Sequence, residues 1–452
     1  MTLLNELSAE VCQRARMSRD PRFDGRFFVA VKTTGIFCRP ICPANLPKEE
    51  NVEYFSSQAL AVSAGYRPCL RCRPESAPHS WAWKGAETTF LRALTLIEQG
   101  ELDGSLETLA SRLGISDRYL RQLFQRHLGM PPKQYAQIQQ LMFAKQLLHT
   151  SQISITEVAY ASGFQSTRRF NDAFQKLFRL TPTQVRRERA ALPSRNHLSL
   201  AFRGPFDWSH MLDFYRLRAI EGMELVDEQS YQRHFVLGEG TGWFKASMAQ
   251  SHLDIEFEME RLSDLRHLVA RLRRMFDLDA DLISIEAHLE QLAPGLVRRT
   301  GIRIPGVWNA WEAGVRAVLG QQVSVKAAIG QLNLLVSTLA ASEGSTRDFP
   351  TPEQVQMSDL SFLRMPERRK ETLKRLADYV RLHPMDSPMA WLSLSGIGPW
   401  TVDYAQLRGE SRSHCFLTGD LIVKKALAKF PQLTAESVAP WGSYATFHCW
   451  SH

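Results

Sequence analysis

Four of the seven cysteines stand in two close pairs, Cys38-x3-Cys42 and Cys69-x2-Cys72, with 26 residues between the pairs. Two short-spaced pairs on turn-rich backbone can present four thiolates tetrahedrally, the arrangement that Zn2+ prefers. Turn formers flank them at Arg39-Pro40, Cys42-Pro43, Leu46-Pro47 and Arg67-Pro68. A segment this small needs a staple to fold, and one metal ion supplies it. Four unrelated thiols would fit the paired spacing poorly. A second group lies toward the other end. In Leu394-Ser-Gly396-Ile-Gly398-Pro-Trp400-Thr401-Val402, two glycines two apart allow a tight hairpin whose amides approach a phosphate closely. About 20 residues on, Asp420 follows the apolar run Phe416-Leu417 and opens a helical stretch. A carboxylate there can be a simple helix cap, or it can stabilise positive charge developing on a reacting carbon. Local sequence leaves both open. Cys12, Cys415 and Cys449 show no ligand spacing and read as structural.

The elements that must hold these groups divide the chain. At 452 residues it is too long for one core. The first 75 or so residues are turn-rich, with a strand read at 27–32. A linker is read at 74–85, helices from about Phe90 to Arg189, and a second linker at 190–196. Strand-like runs follow at 231–237 and 252–257, and helical periodicity dominates from Asp277 onward.

The helical middle repeats itself. Leu106-Glu-Thr-Leu109-Ala110…Gly114-Ile-Ser116…Leu120…Phe124…Pro132 recurs about 50 residues later as Ile155-Thr-Glu-Val158-Ala159…Gly163…Ser166…Phe170…Phe174…Pro182. Each copy reads as a helix, a glycine turn and a second helix. In the first, Ser116 is placed to cap the second helix, and Arg118, Arg121, Gln122 and Gln125 face outward. In the second, Ser154-Ile-Thr-Glu157 is a capping box, and Thr167, Arg168, Arg169, Asn171 and Lys176 face outward. Arg179, Arg186, Arg187 and Arg189 continue the basic trend. These residue types reach base edges and phosphates in the major groove.

The formal net charge of +8 favours an anionic partner, nucleic acid first. No run of about 18 apolar residues exists, which argues against a membrane helix, and the first residues lack a signal-peptide core. A cytoplasmic protein, associated with the nucleoid when on DNA, is expected, and its clustered cysteines should be reduced.

Three stretches resemble known families. Thr33-Thr-Gly-Ile-Phe-Cys38-Arg39-Pro40 and Gly65-Tyr-Arg67-Pro-Cys69-Leu-Arg71-Cys72 closely resemble the N-terminal domain of Ada-type methylation sensors. The resemblance implies one Zn2+ on Cys38, Cys42, Cys69 and Cys72, with Cys38 accepting a methyl group from a DNA methylphosphotriester. Methylation would remove one negative charge near the phosphates, an electrostatic switch. Lys32, Arg39, Arg67, Arg71 and Arg73 are the cations expected at that DNA, whereas Pro43-Ala44-Asn45 replaces the arginines that the family carries after the second ligand. The segment 90–189 resembles the AraC-type DNA-binding domain, with Arg179 where the family often has glycine. From about His197 to the end the chain resembles an AlkA-type DNA-3-methyladenine glycosylase, through Phe206-Asp207-Trp208, 272–278, 317–324, the hairpin, Asp420 and 441–450.

That last resemblance implies an extruded nucleotide. Its base would enter a slot of Trp400, Tyr404, Trp450 and Phe214, whose aromatic faces favour a cationic methylated purine. Asp420 would act on the sugar, Gly396, Gly398 and Thr401 would hold the backbone, and Gln322 would fill the gap in the duplex. Related lyases carry lysine where this chain has Trp400, so hydrolysis without a Schiff base is implied. Leu421 falls at a pocket position where relatives carry an aromatic residue. No Pro-Cys-His-Arg motif occurs, so direct reversal of alkylguanine is not expected.

The expected fold is multi-domain α+β. A small zinc-stapled α/β domain covers 1–78, and an all-α double helix-turn-helix domain covers 86–190. A small antiparallel-sheet domain at 196–284 precedes an all-α helix–hairpin–helix glycosylase domain at 285–452. The expected partners are alkylated duplex DNA, promoter DNA and RNA polymerase, with no membrane and no organic cofactor. Two rival readings are a repair enzyme whose N-terminal half only tethers it to DNA, and a regulator with an inactive glycosylase fold.

Overall fold

The computed structural model describes residues 7–451 except 21–22, 73, 75–80, 99, 101, 103–104, 188–195, 341, 344–345 and 385. Arg73, Arg189 and most of the second linker therefore lie outside the described residues. The chain forms two compact units, Met1–Gln139 and Gln140–His452.

The first unit begins with helix α1 (Ala9–Ser18), strands β1 (Phe28–Val31), β2 (Ile36–Cys38) and β3 (Val52–Phe55), helix α2 (Gln58–Ser63) and strand β4 (Arg67–Pro68). The sheet order is β3-β1-β2-β4. Alternation along β1 explains why a four-residue strand suffices. Phe27 and Val29 pack on Cys12 and Ala15 of α1, while Phe28 and Ala30 pack on Phe37 and on Ala61 of α2. β4 lies parallel to β2, and the Cys69 amide donates to the Phe37 carbonyl at 3.0 Å. That pairing carries the second cysteine pair to the first.

Helices α3 (Trp81–Glu98), α4 (Leu106–Arg112), α5 (Asp117–Leu128) and the start of α6 (Pro132–Thr150) complete this unit. Helix α3 begins inside the segment read as a linker. Ala82 and Ala86 are strong helix formers, and they continue directly into the amphipathic run that buries Phe90, Ala93 and Ile97.

The second unit holds the rest of α6, then α7 (Ile155–Ala161), α8 (Thr167–Phe178), α9 (Pro182–Arg187), β5 (His197–Ala201), α10 (Trp208–Arg216), β6 (Glu224–Val226), β7 (Ser230–Leu237), β8 (Gly240–Met248) and β9 (His252–Met259). The five strands form an antiparallel sheet in the order β5-β9-β8-β7-β6. Its apolar face, including Leu198, Tyr231, Phe244 and Ile255, packs with α10 and with α11 (Leu265–Met275). The remaining elements are α12 (Leu282–Leu292), α13 (Ala310–Gly320), α14 (Val325–Leu339), the short pair β10 (Ser342–Glu343) and β11 (Thr346–Arg347), α15 (Pro352–Met357), α16 (Glu367–Leu382), α17 (Pro399–Glu410), α18 (Leu421–Leu427) and α19 (Gly442–Trp450).

A buried ionic network locks the sheet to α13. Arg233 of β7 reaches Glu224 at 3.2 Å and Glu312 at 2.5 Å, and Arg316 reaches Glu224 at 3.0 Å and Glu312 at 2.8 Å. Burial alone would raise the Glu312 carboxyl, but Arg233 and Arg316 outweigh it and hold the group well below the usual carboxylate range. Glu312→Gln would leave two buried guanidiniums under-compensated. It is expected to cost this unit about 3–5 kcal/mol, read as a lower denaturation midpoint.

Candidate functional site

Three helices project rings into one space. On α10, Phe214 is buried, with His210 four residues before it, and Arg218 follows in the turn just after the helix. On α17, Trp400 and Tyr404 share a face at the same spacing and stack at 5.3 Å and 26°. From α19, Trp450 stacks on Phe214 at 6.2 Å and 15°, and Phe447 meets Trp450 edge-on at 5.0 Å. With Leu319, Val323, Ile329 and Ile422, these residues enclose a cavity of about 390 Å³, and Asp420 stands on its wall.

Asp420 is the N-cap of α18. Its Oδ1 accepts from the Ile422 amide at 2.9 Å, the Val423 amide at 3.2 Å and Trp450 Nε1 at 3.0 Å. All of its hydrogen bonds among the described residues thus go to one oxygen, leaving Oδ2 unengaged. The cap and the charge-stabilising group, alternatives in the sequence, are the two oxygens of one carboxylate.

A wider groove of about 1090 Å³ adjoins the cavity and shares Asp420, Trp400, Gly320 and Val323 with it. Gly396 has φ +92°, and a Cβ there would sit 2.1 Å from Thr372 Oγ1, so no other residue fits. Gly398 opens onto free space at the start of α17. Gln322 is exposed in the groove with φ +56°. Its neighbour Gln321, which sequence reasoning did not single out, ties the loop to the hairpin. Gln321 Nε2 donates to the Gly396 carbonyl at 3.1 Å and to Thr401 Oγ1 at 3.2 Å. Thr401 lines the groove but is only 2% exposed, its Oγ1 accepting from Gln321. Leu421 also differs from expectation. It lines the outer groove at 68% exposure, while Ile422 takes the cavity position. One residue of helical rotation, about 100°, separates the two faces.

Cations form part of the cavity. The Arg218 guanidinium lies 3.7 Å and that of Arg408 4.7 Å from the Phe214 ring centre. Arg408 donates to the Tyr404 hydroxyl at 2.9 Å and to the Pro305 carbonyl, which fixes the Tyr404 ring. Burial pulls the Arg218 guanidinium down to about 10, so it stays charged at neutral pH. Burial and then Arg299 hold the His210 imidazole below its ordinary value.

In the first unit, the sulfurs of Cys38, Cys42, Cys69 and Cys72 all lie within 4.8 Å of one another. Cys42 is buried and the other three are half-buried. A hydrogen bond to Cys72, burial and the neighbouring thiols push the Cys38 thiol far up. The hydrogen bond from Cys38 pulls the Cys72 thiol down to about 5. Four thiolates this close cannot all ionise without a cation among them, and this donor set fits Zn2+. The Arg39 amide also donates to Cys72 Sγ at 3.4 Å. Its guanidinium, expected at DNA, is instead paired with Asp24 and bonded to the Cys72 carbonyl. Lys32 sits 4.0 Å from Glu53, while Arg67 and Arg71 are exposed.

The repeat forms two helix–turn–helix units. In the first, Gly114 turns the chain at φ +68°, Ser116 caps α5 through the Tyr119 amide, and Arg118, Arg121, Gln122 and Gln125 are exposed. Arg121 pairs with Asp117 at 3.1 Å. In the second, the capping box of Ser154 and Glu157 is formed, Gly163 turns at φ +86°, and α8 exposes Arg168, Arg169, Asn171 and Lys176. Gly129 ends α5 at φ +68°, and Arg179 ends α8 at φ +59° in the matching place. A side chain in that region costs about 1 kcal/mol. Arg179→Gly is expected to stabilise this unit by up to about 1 kcal/mol, reduced by the freer unfolded chain, as measured from denaturation midpoints.

Among the described residues, no helix is long and apolar enough to cross a membrane. Residues 11–75 match the family described as the metal binding domain of Ada, 109–188 a helix-turn-helix domain and 197–309 the AlkA N-terminal domain. The chain is 34% identical to the probable bifunctional transcriptional activator/DNA repair enzyme AlkA of Mycobacterium tuberculosis, over 98% of this chain and 96% of the relative. It is 33% identical to DNA-3-methyladenine glycosylase 2 of Escherichia coli, over 56% of this chain and 96% of that protein. It is 35% identical to the bifunctional transcriptional activator/DNA repair enzyme Ada of Escherichia coli, over 38% of this chain and 47% of that protein.

Proposed function

The chain belongs to the family of the bifunctional transcriptional activator/DNA repair enzyme AlkA, and from that premise we propose an alkylation-responsive transcriptional regulator joined to a DNA glycosylase that hydrolyses the N-glycosidic bond of alkylated bases such as 3-methyladenine. The observation that carries the enzyme reading is Asp420, a carboxylate with one free oxygen where the aromatic cavity opens into the groove.

The duplex runs in the groove, with the amides of the Gly396–Gly398 hairpin on its backbone. A damaged nucleotide turns out of the stack, and Gln322 occupies the gap. The base slides between Trp400–Tyr404 and Trp450–Phe214. As the glycosidic bond lengthens, positive charge grows on the sugar, and Asp420 Oδ2 stabilises it and orients the attacking water. No amine stands at position 400 to trap the sugar, so the products are a free base and an abasic site.

In the N-terminal part, Cys38 accepts the methyl group. Bound Zn2+ supplies the charge that keeps the thiolates ionised. The Cys38 sulfur attacks the methyl carbon of a phosphotriester, the carbon–oxygen bond breaks, and a phosphodiester anion leaves. The lost negative charge strengthens DNA binding. Arg67 assists there, and Arg118, Arg121, Gln122, Arg168 and Arg169 read promoter DNA, where the protein meets RNA polymerase. We assign these roles to domains at 1–78, 86–190, 196–284 and 285–452 of a cytoplasmic, nucleoid-associated protein.

Incubation with methylated duplex DNA should release 3-methyladenine; no release by the intact chain overturns the enzyme reading. A second reading, in which the N-terminal part only tethers the enzyme, draws support from Arg39, which is engaged by Asp24 instead of being free for phosphate. Promoter affinity that is unchanged when Cys38 is methylated would decide for it.

A further inference from the structure

We propose that His210 and Arg218 are the specificity-determining pair of the cavity, donating hydrogen bonds to acceptor atoms on the outer edge of the extruded base. The inference rests on the glycosylase reading above. It starts from an accounting of the polar groups on a wall that is otherwise aromatic or aliphatic.

Most of those groups are already engaged. The Tyr404 hydroxyl accepts from Arg408. Arg316 is held by Glu224, Glu312 and the Arg218 carbonyl. Asp213 pairs with Arg216 at 2.5 Å. Asp420 is committed through Oδ1, with Oδ2 assigned to the sugar. Two donors remain. The one hydrogen bond of the Arg218 side chain goes from Nη1 to the Phe214 carbonyl at 3.2 Å, and no carboxylate among the described residues pairs with it. His210 Nε2 lies 3.5 Å from Ser451 Oγ, and the imidazole is surrounded by Asp207, Asp213, Arg299 and Arg218. His210 lies one helical turn before Phe214 on α10, and Arg218, in the turn that follows the helix, lies over the same ring.

A guanidinium withdrawn from water without a counter-ion is unfavourable unless an acceptor meets it. A base presenting a carbonyl oxygen at that edge supplies a strong acceptor. A cationic base presenting an amino group does not, and it also meets the fixed charge of Arg218 in a poorly screened space. The aromatic walls favour cations and the pair favours acceptors, so the edge that a base presents decides its rate.

The test is single-turnover release from duplexes containing one hypoxanthine, neutral with a carbonyl, or one 3-methyladenine, cationic with an amino group. Wild type is compared with Arg218→Met and His210→Phe. Arg218→Met should lower hypoxanthine release about tenfold or more and raise 3-methyladenine release; His210→Phe should shift the ratio the same way, by less. Equal losses on both substrates in both variants would mean packing alone and would overturn the proposal. So would a wild type that releases 3-methyladenine but never hypoxanthine. A wild type that releases neither base overturns the glycosylase reading instead.

Discussion

Asp420→Asn should lower base release by at least about 100-fold while leaving the protein folded. The amide keeps an oxygen for the Ile422 and Val423 amides and for Trp450 Nε1, so the start of α18 and the Trp450 ring stay where they are. Only the charge and the second carboxylate oxygen are lost. Denaturation midpoints of wild type and Asp420→Asn should therefore agree within about 0.5 kcal/mol. Asp420→Ala removes the cap as well and should cost about 1 kcal/mol more. Single-turnover release of 3-methyladenine checks the first claim, and an Asn variant at near wild-type rate would contradict the role given to this carboxylate.

Removing the metal should unfold the cysteine-bearing domain outright. Its two apolar clusters are small: Cys12, Ala15, Phe27, Val29 and Val52 on one face of the sheet, and Phe28, Ala30, Phe37 and Ala61 on the other. A structural Zn2+ contributes about 10 kcal/mol or more in sites of this kind, more than so little core can replace. A strong chelator, or Cys69→Ala, should release zinc and abolish hydrogen-exchange protection of the β1 and β2 amides. Base release should persist, because the cavity and groove belong to the other unit. Protection that survives metal removal would show that the sheet holds itself together.

Much of this architecture was legible from spacing alone. Cysteine pairs with three and two intervening residues converge because the parallel β2–β4 pairing joins them. The repeat places its arginines outward because Leu120, Phe124, Phe170 and Phe174 take the inward positions. Period-two runs marked β7 and β9. Other features depend on contacts across long stretches of chain. Gln321 meets Gly396, 75 residues away, and Arg39 meets Asp24, 15 residues away. No local pattern announces either. Leu421 and Ile422 are adjacent in a helix, and only the cap angle decides which of them faces the cavity. No local pattern marks His210 and Arg218, which line the cavity beside the stack of Phe214 on Trp450, from the other end of the chain.

One wall of that cavity comes from α10, well before the helical segment that carries the hairpin and Asp420. The two are stitched by backbone: the Asp207 amide donates to the Gly301 carbonyl at 2.9 Å, and a side chain at Gly301 would collide with Asp207. Arg303 adds bonds to the Arg203 and Pro205 carbonyls. A fragment cut at 284/285 would thus keep the acid and the hairpin but lose Phe214, leaving a half-open trough. The cavity is a joint product of both sides of that cut.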